Sequence, residues 1–167
     1  MERIMIIGCC GAGKSTLAKE LQQRTSLPLI HLDQAYWQPN WMEPNKEEWK
    51  AKVEKLASWP RWIIDGNYSS SMDIRLAKAD TIIFLDRSTL TCLARVLRRI
   101  VKYYGRVRPD MPAGCKERWN WEFLHYVLLF NRTRRPKIMR MIRELPGGKT
   151  LIRLRSNRDV RRFMSSV

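Results

Sequence analysis

Eight residues near the amino end, Gly8-Cys9-Cys10-Gly11-Ala12-Gly13-Lys14-Ser15, have the types and spacing that hold phosphate. Their glycines permit backbone conformations that turn several main-chain N–H groups toward one anion. Lys14 is a point charge for β- and γ-phosphates, and Ser15 offers a hydroxyl to Mg²⁺. The run matches G-x-x-x-x-G-K-[ST], a P-loop, whose phosphate-binding residues here are Gly8, Gly11, Ala12, Gly13, Lys14, Ser15 and Thr16. The apolar run Ile4-Met5-Ile6-Ile7 before it predicts a strand. Leu17 and Leu21 after it have helical spacing, which aims a positive helix end at the anion.

Three carboxylates end apolar runs: Asp33, Asp65 and Asp86. Asp65, with Gly66 allowing close approach, is the preferred Mg²⁺-associated acid, and Asp86 is the alternative. Asp33 can accept a hydroxyl proton or orient an acceptor, or simply form a turn. Phosphoryl transfer also needs cations at the moving group. Arg106 and Arg108 lie in a Gly/Pro-bounded stretch, 103–117, as a lid requires, and Arg95 and Arg99 stand one helical turn apart just before it. Trp37, Trp41 and Trp49 flank the acceptor side and are expected mainly to pack. Trp119, Phe123, Tyr126, Val127 and Phe130 read as a core-facing helical stripe. His31 and His125 are isolated and receive no catalytic role. The four cysteines lack paired metal-ligand spacing.

These residues need elements to position them. Strands are expected at 27–33, 62–65, 81–86 and 149–154, after the first at 3–7. Helices are expected over 46–58 behind Asn45, from Ser69 or Ser70 to Lys78, from Ser88 to about Val101, over 133–144, and after Ser156 or Asn157. Pro146-Gly147-Gly148 should break the helix before them. Alternating strands and helices predict an α/β, doubly wound parallel sheet, with ligands at the carboxyl ends of its strands. The P-loop and all three carboxylates then share one rim.

A chain of 167 residues fits a single domain, 1–167. No stretch approaches the ~18 uncharged apolar residues a membrane span needs. A strand starting within three residues of the amino end leaves no room for a signal peptide, so a cytoplasmic location is expected. Lys and Arg number 32 against 16 Asp and Glu, a net charge of +16. The excess lies mostly beyond Arg87 and is mostly Arg, which suits bidentate phosphate recognition and leaves nucleic acid open as a partner.

The segments GCCGAGKST at 8–16, HLDQAYWQPNW at 31–41, WIIDGNY at 62–68, ADTIIFLDRS at 79–88 and YGRVRPDMPAGC at 104–115 carry a family resemblance. The chain resembles small P-loop kinases of the nucleoside-monophosphate-kinase type, and more closely bacterial adenylate-kinase-related proteins labelled DNA topology modulation proteins. That resemblance implies a P-loop NTPase fold with five strands in order 2-3-1-4-5 and a helical lid near 102–117. It implies an acceptor-binding segment at 34–60, and ATP with Mg²⁺. It gives Asp65-Gly66 a metal-supporting role, Arg95 an adenine-packing role and Arg99 a phosphate contact. Asp33 looks like the hydroxyl-engaging aspartate of shikimate and gluconate kinases. The chain departs from the monophosphate kinases at Asn67-Tyr68-Ser69, where they carry Phe-Pro-Arg. The expected activity is transfer of the γ-phosphoryl of ATP to a hydroxyl or phosphate of a small acceptor, with Lys14, Asp33, Arg99, Arg106 and Arg108 catalytic. The alternative is a nucleotide-dependent DNA- or RNA-binding regulator.

Overall fold

The apolar runs pair side by side because neither of their faces is suited to water. In the computed structural model, which describes residues 1–145 and 147–167, they form β1 (Arg3–Gly8), β2 (Leu29–His31), β3 (Trp62–Asp65), β4 (Thr81–Leu85) and β5 (Thr150–Leu154). All four pairings are parallel and the order is β2-β3-β1-β4-β5. The inner strands β3 and β4 are buried throughout and β1 from Ile4 onward, while edge strands β2 and β5 are partly open.

Eight helices among the described residues cover the sheet: α1 (Lys14–Thr25), α2 (Leu32–Tyr36), α3 (Lys46–Ala57), α4 (Met72–Lys78), α5 (Thr89–Tyr103), α6 (Trp121–Thr133), α7 (Arg135–Arg143) and α8 (Asn157–Ser165). Their starts follow local chemistry. Asn45 accepts from the Glu47 N–H, Ser88 from the Thr91 N–H, and Ser156 forms a reciprocal capping box with Asp159. No helix among the described residues is long and apolar enough to cross a membrane.

Several expectations change. The second strand stops at His31, and Asp33 sits in the first turn of α2, where its carbonyl accepts from the Trp37 N–H. Leu32 reaches full burial there, so extending the strand would gain little. A short 3₁₀ turn at Ser69–Ser71 precedes α4, and no serine side chain caps that helix. Trp119 falls outside the α6 stripe, because Asn120 caps the helix by accepting from the Phe123 N–H. Residues 104–120 contain no helix of their own; α5 and α6 flank them, and bridges at Tyr104–Glu117 and Val107–Lys116 tie the excursion. Pro146, expected to break α7, lies outside the described residues.

Asp86 takes a structural role rather than an open one. Arg135 donates to both carboxylate oxygens at 2.8 and 3.1 Å, and Arg153 donates from Nε at 2.7 Å, so one carboxylate joins β4, α7 and β5. Burial tends to raise the Asp86 pKa, but the two arginines outweigh it and hold the carboxyl below its usual range. A depressed folded pKa contributes stability above the unfolded value of about 4, lost as pH falls through the folded value. Asp86→Asn should therefore lower stability at neutral pH by about 2 kcal/mol, between the values for exposed and buried ion pairs. It should also flatten the acid limb of stability against pH in urea unfolding. An unchanged acid limb would refute this account.

Candidate active site

The chain leaves β1 through Gly8 (φ 147°), Gly11 (φ 80°) and Gly13 (φ 102°), all in the region that favours glycine. Space forbids side chains as well. A Cβ at Gly8 would lie 2.5 Å from the Leu85 carbonyl oxygen, and one at Gly11 2.4 Å from that of Cys92. The backbone is thus free to face an anion because nothing else fits. Lys14 Nζ donates to the Gly8 and Cys9 carbonyls at 3.0 and 3.2 Å, folding its charge onto the loop.

The loop after β3 braces this cradle. Asn67 Nδ2 donates to the Gly8 carbonyl at 2.8 Å, and its Oδ1 accepts from the Gly8 N–H at 3.0 Å. Arg75 of α4, with no solvent exposure, donates to the carbonyls of Ser71, Gly66, Asn67 and Tyr68. Those bonds hold Tyr68 at φ 31°, a strained value for a residue with a side chain. Tyr68 Oη in turn donates to Asp33 Oδ1 at 2.6 Å. Burial, then the adjacent Asp33 charge, push the Tyr68 phenol well above its ordinary range, so it remains a donor.

A cleft of about 770 Å³ opens over the P-loop at the carboxyl edge of the sheet. Lys14, Ser15, Asp33, Asp65, Arg99 and Arg108 line it, with Arg95 and Thr16 farther along. Gly8 is not among the lining residues, which begin at Cys10. Arg95 Nη1 donates to the Ala12 carbonyl at 3.2 Å and Nη2 to Asn157 Oδ1 at 3.2 Å, which lays the guanidinium along the loop. Arg106 stands apart: its side chain is exposed and does not line the cleft, because the main chain of this residue is tied to Tyr103 and Glu117. Arg108 instead turns inward, 8 % exposed, with Nη1 donating to Asp110 at 3.0 Å.

Asp65 is 4 % exposed and pairs through Oδ1 with His31 Nδ1 at 2.8 Å. That hydrogen bond raises the His31 pKa, against the opposing effect of burial. The pairing leaves Oδ2 of Asp65 without a hydrogen bond among the described residues. The Ser15 hydroxyl and the Asp65 carboxylate form a hard oxygen set of the kind Mg²⁺ accepts when phosphates and waters supply its other ligands. The residues present therefore fit the ion.

The segment that follows β2 is aromatic. Tyr36 packs on Trp49 and Tyr68 at centroid separations of 4.8 and 4.6 Å, and Trp37 on Trp41 at 5.3 Å. Segment 34–41 also touches the excursion after α5. Trp41 Nε1 donates to the Lys116 carbonyl at 3.0 Å, Gln34 to the Pro109 carbonyl at 3.4 Å, and Cys115 Sγ to the Gln38 carbonyl at 3.3 Å.

Asn67, Tyr68 and Arg75 support this site although the sequence gives them no site role, and His31, which reads there as isolated, is the partner of Asp65. Asn67 and Tyr68 at least fall within the distinctive WIIDGNY run. Arg75 gives no such signal, since an arginine on a short helix ordinarily reads as solvated.

The family described as an AAA domain matches residues 4–105. The chain belongs to it. No curated protein shows significant similarity to the chain. Among solved structures, a sugar kinase from Janibacter sp. HTCC2649 is 16 % identical with TM-score 0.54, over 99 % of this chain and 93 % of that one. A gluconokinase from Sinorhizobium meliloti 1021 is 15 % identical with TM-score 0.53, over 99 % and 92 %. A protein of Chloroflexus aurantiacus j-10-fl is 17 % identical with TM-score 0.56, over 98 % and 94 %. At these identities the likeness establishes a fold, and that fold is the kinase-like P-loop architecture.

Replacing Arg75 tests the brace. Arg75→Leu strands the Gly66 and Asn67 carbonyls and should cost at least ~3 kcal/mol in urea unfolding. An exposed-site loss below ~0.5 kcal/mol would show that the guanidinium does not organise the loop.

Proposed function

We propose that this protein is an ATP-dependent phosphotransferase acting on a hydroxyl of a small acceptor. The observation that carries the reading is the convergence, on one cleft, of a glycine-defined P-loop with Asp33, Asp65, Arg95, Arg99 and Arg108. Lys14 would leave the carbonyls it now serves and follow the β- and γ-phosphates. Arg95, against the loop, suits the adenine end, while Arg99 and Arg108 suit the transferring phosphoryl group. Ser15 and Asp65 would hold Mg²⁺, which when bound neutralises charge developing between the β- and γ-phosphoryl groups.

Asp33 is the group to receive or orient the acceptor hydroxyl. Tyr68 fixes its Oδ1 by hydrogen bonding, which leaves Oδ2 for the substrate. An anionic carboxylate at this place favours a hydroxyl over a phosphate acceptor, since like charges repel. Ser69 points the same way: it offers no cation where the monophosphate kinases carry an arginine, and Asn67 beside it serves the P-loop. The printed names of the sugar kinase and gluconokinase with this fold support polyols and sugar acids as the first acceptors to try.

The test is ADP formation by the full chain with ATP, MgCl₂ and a panel of polyols, sugars, sugar acids and nucleosides. One hydroxyl acceptor should raise ADP formation, and Lys14→Ala should reduce that stimulated rate at least about a hundredfold, as loss of a phosphate-stabilising group does. Stimulation by no acceptor above the Lys14→Ala background would refute the transferase reading. Asp33→Asn should lower turnover by about 10²–10⁴ and leave ATP affinity nearly unchanged, the pattern of a group acting on the acceptor.

A further inference from the structure

Glu117 is one of the few buried acids, at 4 % exposure, and it lies far in sequence from the phosphate loop. Its carboxylate Oε2 is 2.8 Å from Arg108 Nε and 3.3 Å from Arg99 Nε, close ion pairs whose angles fall short of hydrogen bonds. One acid therefore lies between two arginines that line the cleft, Arg99 on α5 and Arg108 within the excursion. Its main chain is engaged too: the Glu117 N–H donates to the Arg106 carbonyl at 2.8 Å, and its carbonyl accepts from the Gly105 N–H at 2.9 Å. The same residue thus closes the base of the excursion and grips both guanidinium groups.

The guanidinium geometry matters here. Arg108 gives Nη1 to Asp110, so the nitrogens left for another anion are chiefly those of Arg99. Neither Nη of Arg99 makes a hydrogen bond among the described residues. The Arg99 guanidinium also lies over Phe123 of α6, 5.4 Å from the ring centroid, so it is held by an acid on one side and an aromatic face on another. Glu117 and Asp110 together balance the two guanidinium charges, so the cluster offers an incoming anion the free Nη nitrogens of Arg99 rather than a net charge.

We infer that Glu117 is a positioning residue for phosphate binding: it presets the Arg99 and Arg108 guanidinium groups over the P-loop before any anion arrives. This deepens the phosphotransferase reading and rests on it for the identity of the nucleotide, though not for the presence of a phosphate site. The alternative role, a carboxylate that only closes the excursion, predicts no coupling to the arginines.

Sodium tripolyphosphate is the probe, since it tests the phosphate cradle without any turnover. Its affinity is measured by calorimetry for wild type, Glu117→Gln, Glu117→Asp, Arg99→Ala/Arg108→Ala and that double variant combined with Glu117→Gln. Thermal unfolding checks that each chain is folded. Glu117→Gln should weaken tripolyphosphate binding about tenfold, the equivalent of ordering two long side chains on binding. Glu117→Asp, which keeps the charge, should recover part of that loss. In the chain lacking both arginines, Glu117→Gln should bring no further loss, a non-additivity expected only when the acid acts through them. Additive losses, or tighter binding by Glu117→Gln, would overturn the inference, as would a wild type that does not bind tripolyphosphate. Should Glu117→Gln not fold, the same comparison is made with Glu117→Asp. A chain that binds tripolyphosphate with the expected coupling but forms no ADP with any acceptor of the panel above the Lys14→Ala background would sink the transferase reading alone.

Discussion

Arg75 holds a full positive charge at zero solvent exposure, and the rim of the cleft rests on how that charge is satisfied. No acid neutralises it directly. Four main-chain carbonyls do, from the turn that leaves β3. Carbonyls that close to a guanidinium have little freedom to rotate, so the turn is locked in a conformation that Tyr68 would not adopt unaided. From that locked turn Asn67 reaches back to Gly8 and Tyr68 reaches across to Asp33. One buried cation on α4 thereby sets both the shape of the phosphate loop and the orientation of the Asp33 carboxylate.

The arginines of the second half have divided tasks, which the net charge alone conceals. Arg135 and Arg153 are spent on Asp86 and hold α7 against the sheet. Arg87 and Arg95 share Asn157 at the start of α8, which ties that helix to the phosphate loop. Arg99 and Arg108 face the cleft. Excess charge here is partly architecture and partly site, and the two uses are separated by which carboxylate or amide each guanidinium meets.

The fold was legible because its signals are local and repeated. Apolar runs such as Trp62–Asp65 and Thr81–Leu85 admit few alternatives, and helix starts at Asn45, Ser88 and Ser156 announce themselves by side chains that cap. The P-loop was legible for the same reason. Asp33 was placed on the correct rim but on the wrong element, since the turn into α2 depends on where Leu32 is buried, a tertiary fact. Asp86 and Asp65 look alike in sequence and differ only through partners 49 and 34 residues away. Arg106 and Arg108 show the same limit: two positions apart in one loop, they differ because Glu117 engages the backbone of one and the side chain of the other.

The bonds joining 34–41 to 109–116 have a kinetic meaning. Trp41, Gln34 and Cys115 fasten the two flaps of the cleft to each other, each by a contact worth about 1 kcal/mol. A swing of one flap alone must break all three together, whereas a joint swing breaks none of them. In the proposed transferase, an acceptor beside Asp33 and a nucleotide on the P-loop would then be admitted by one joint motion, so that exit of either product would expose the other to solvent.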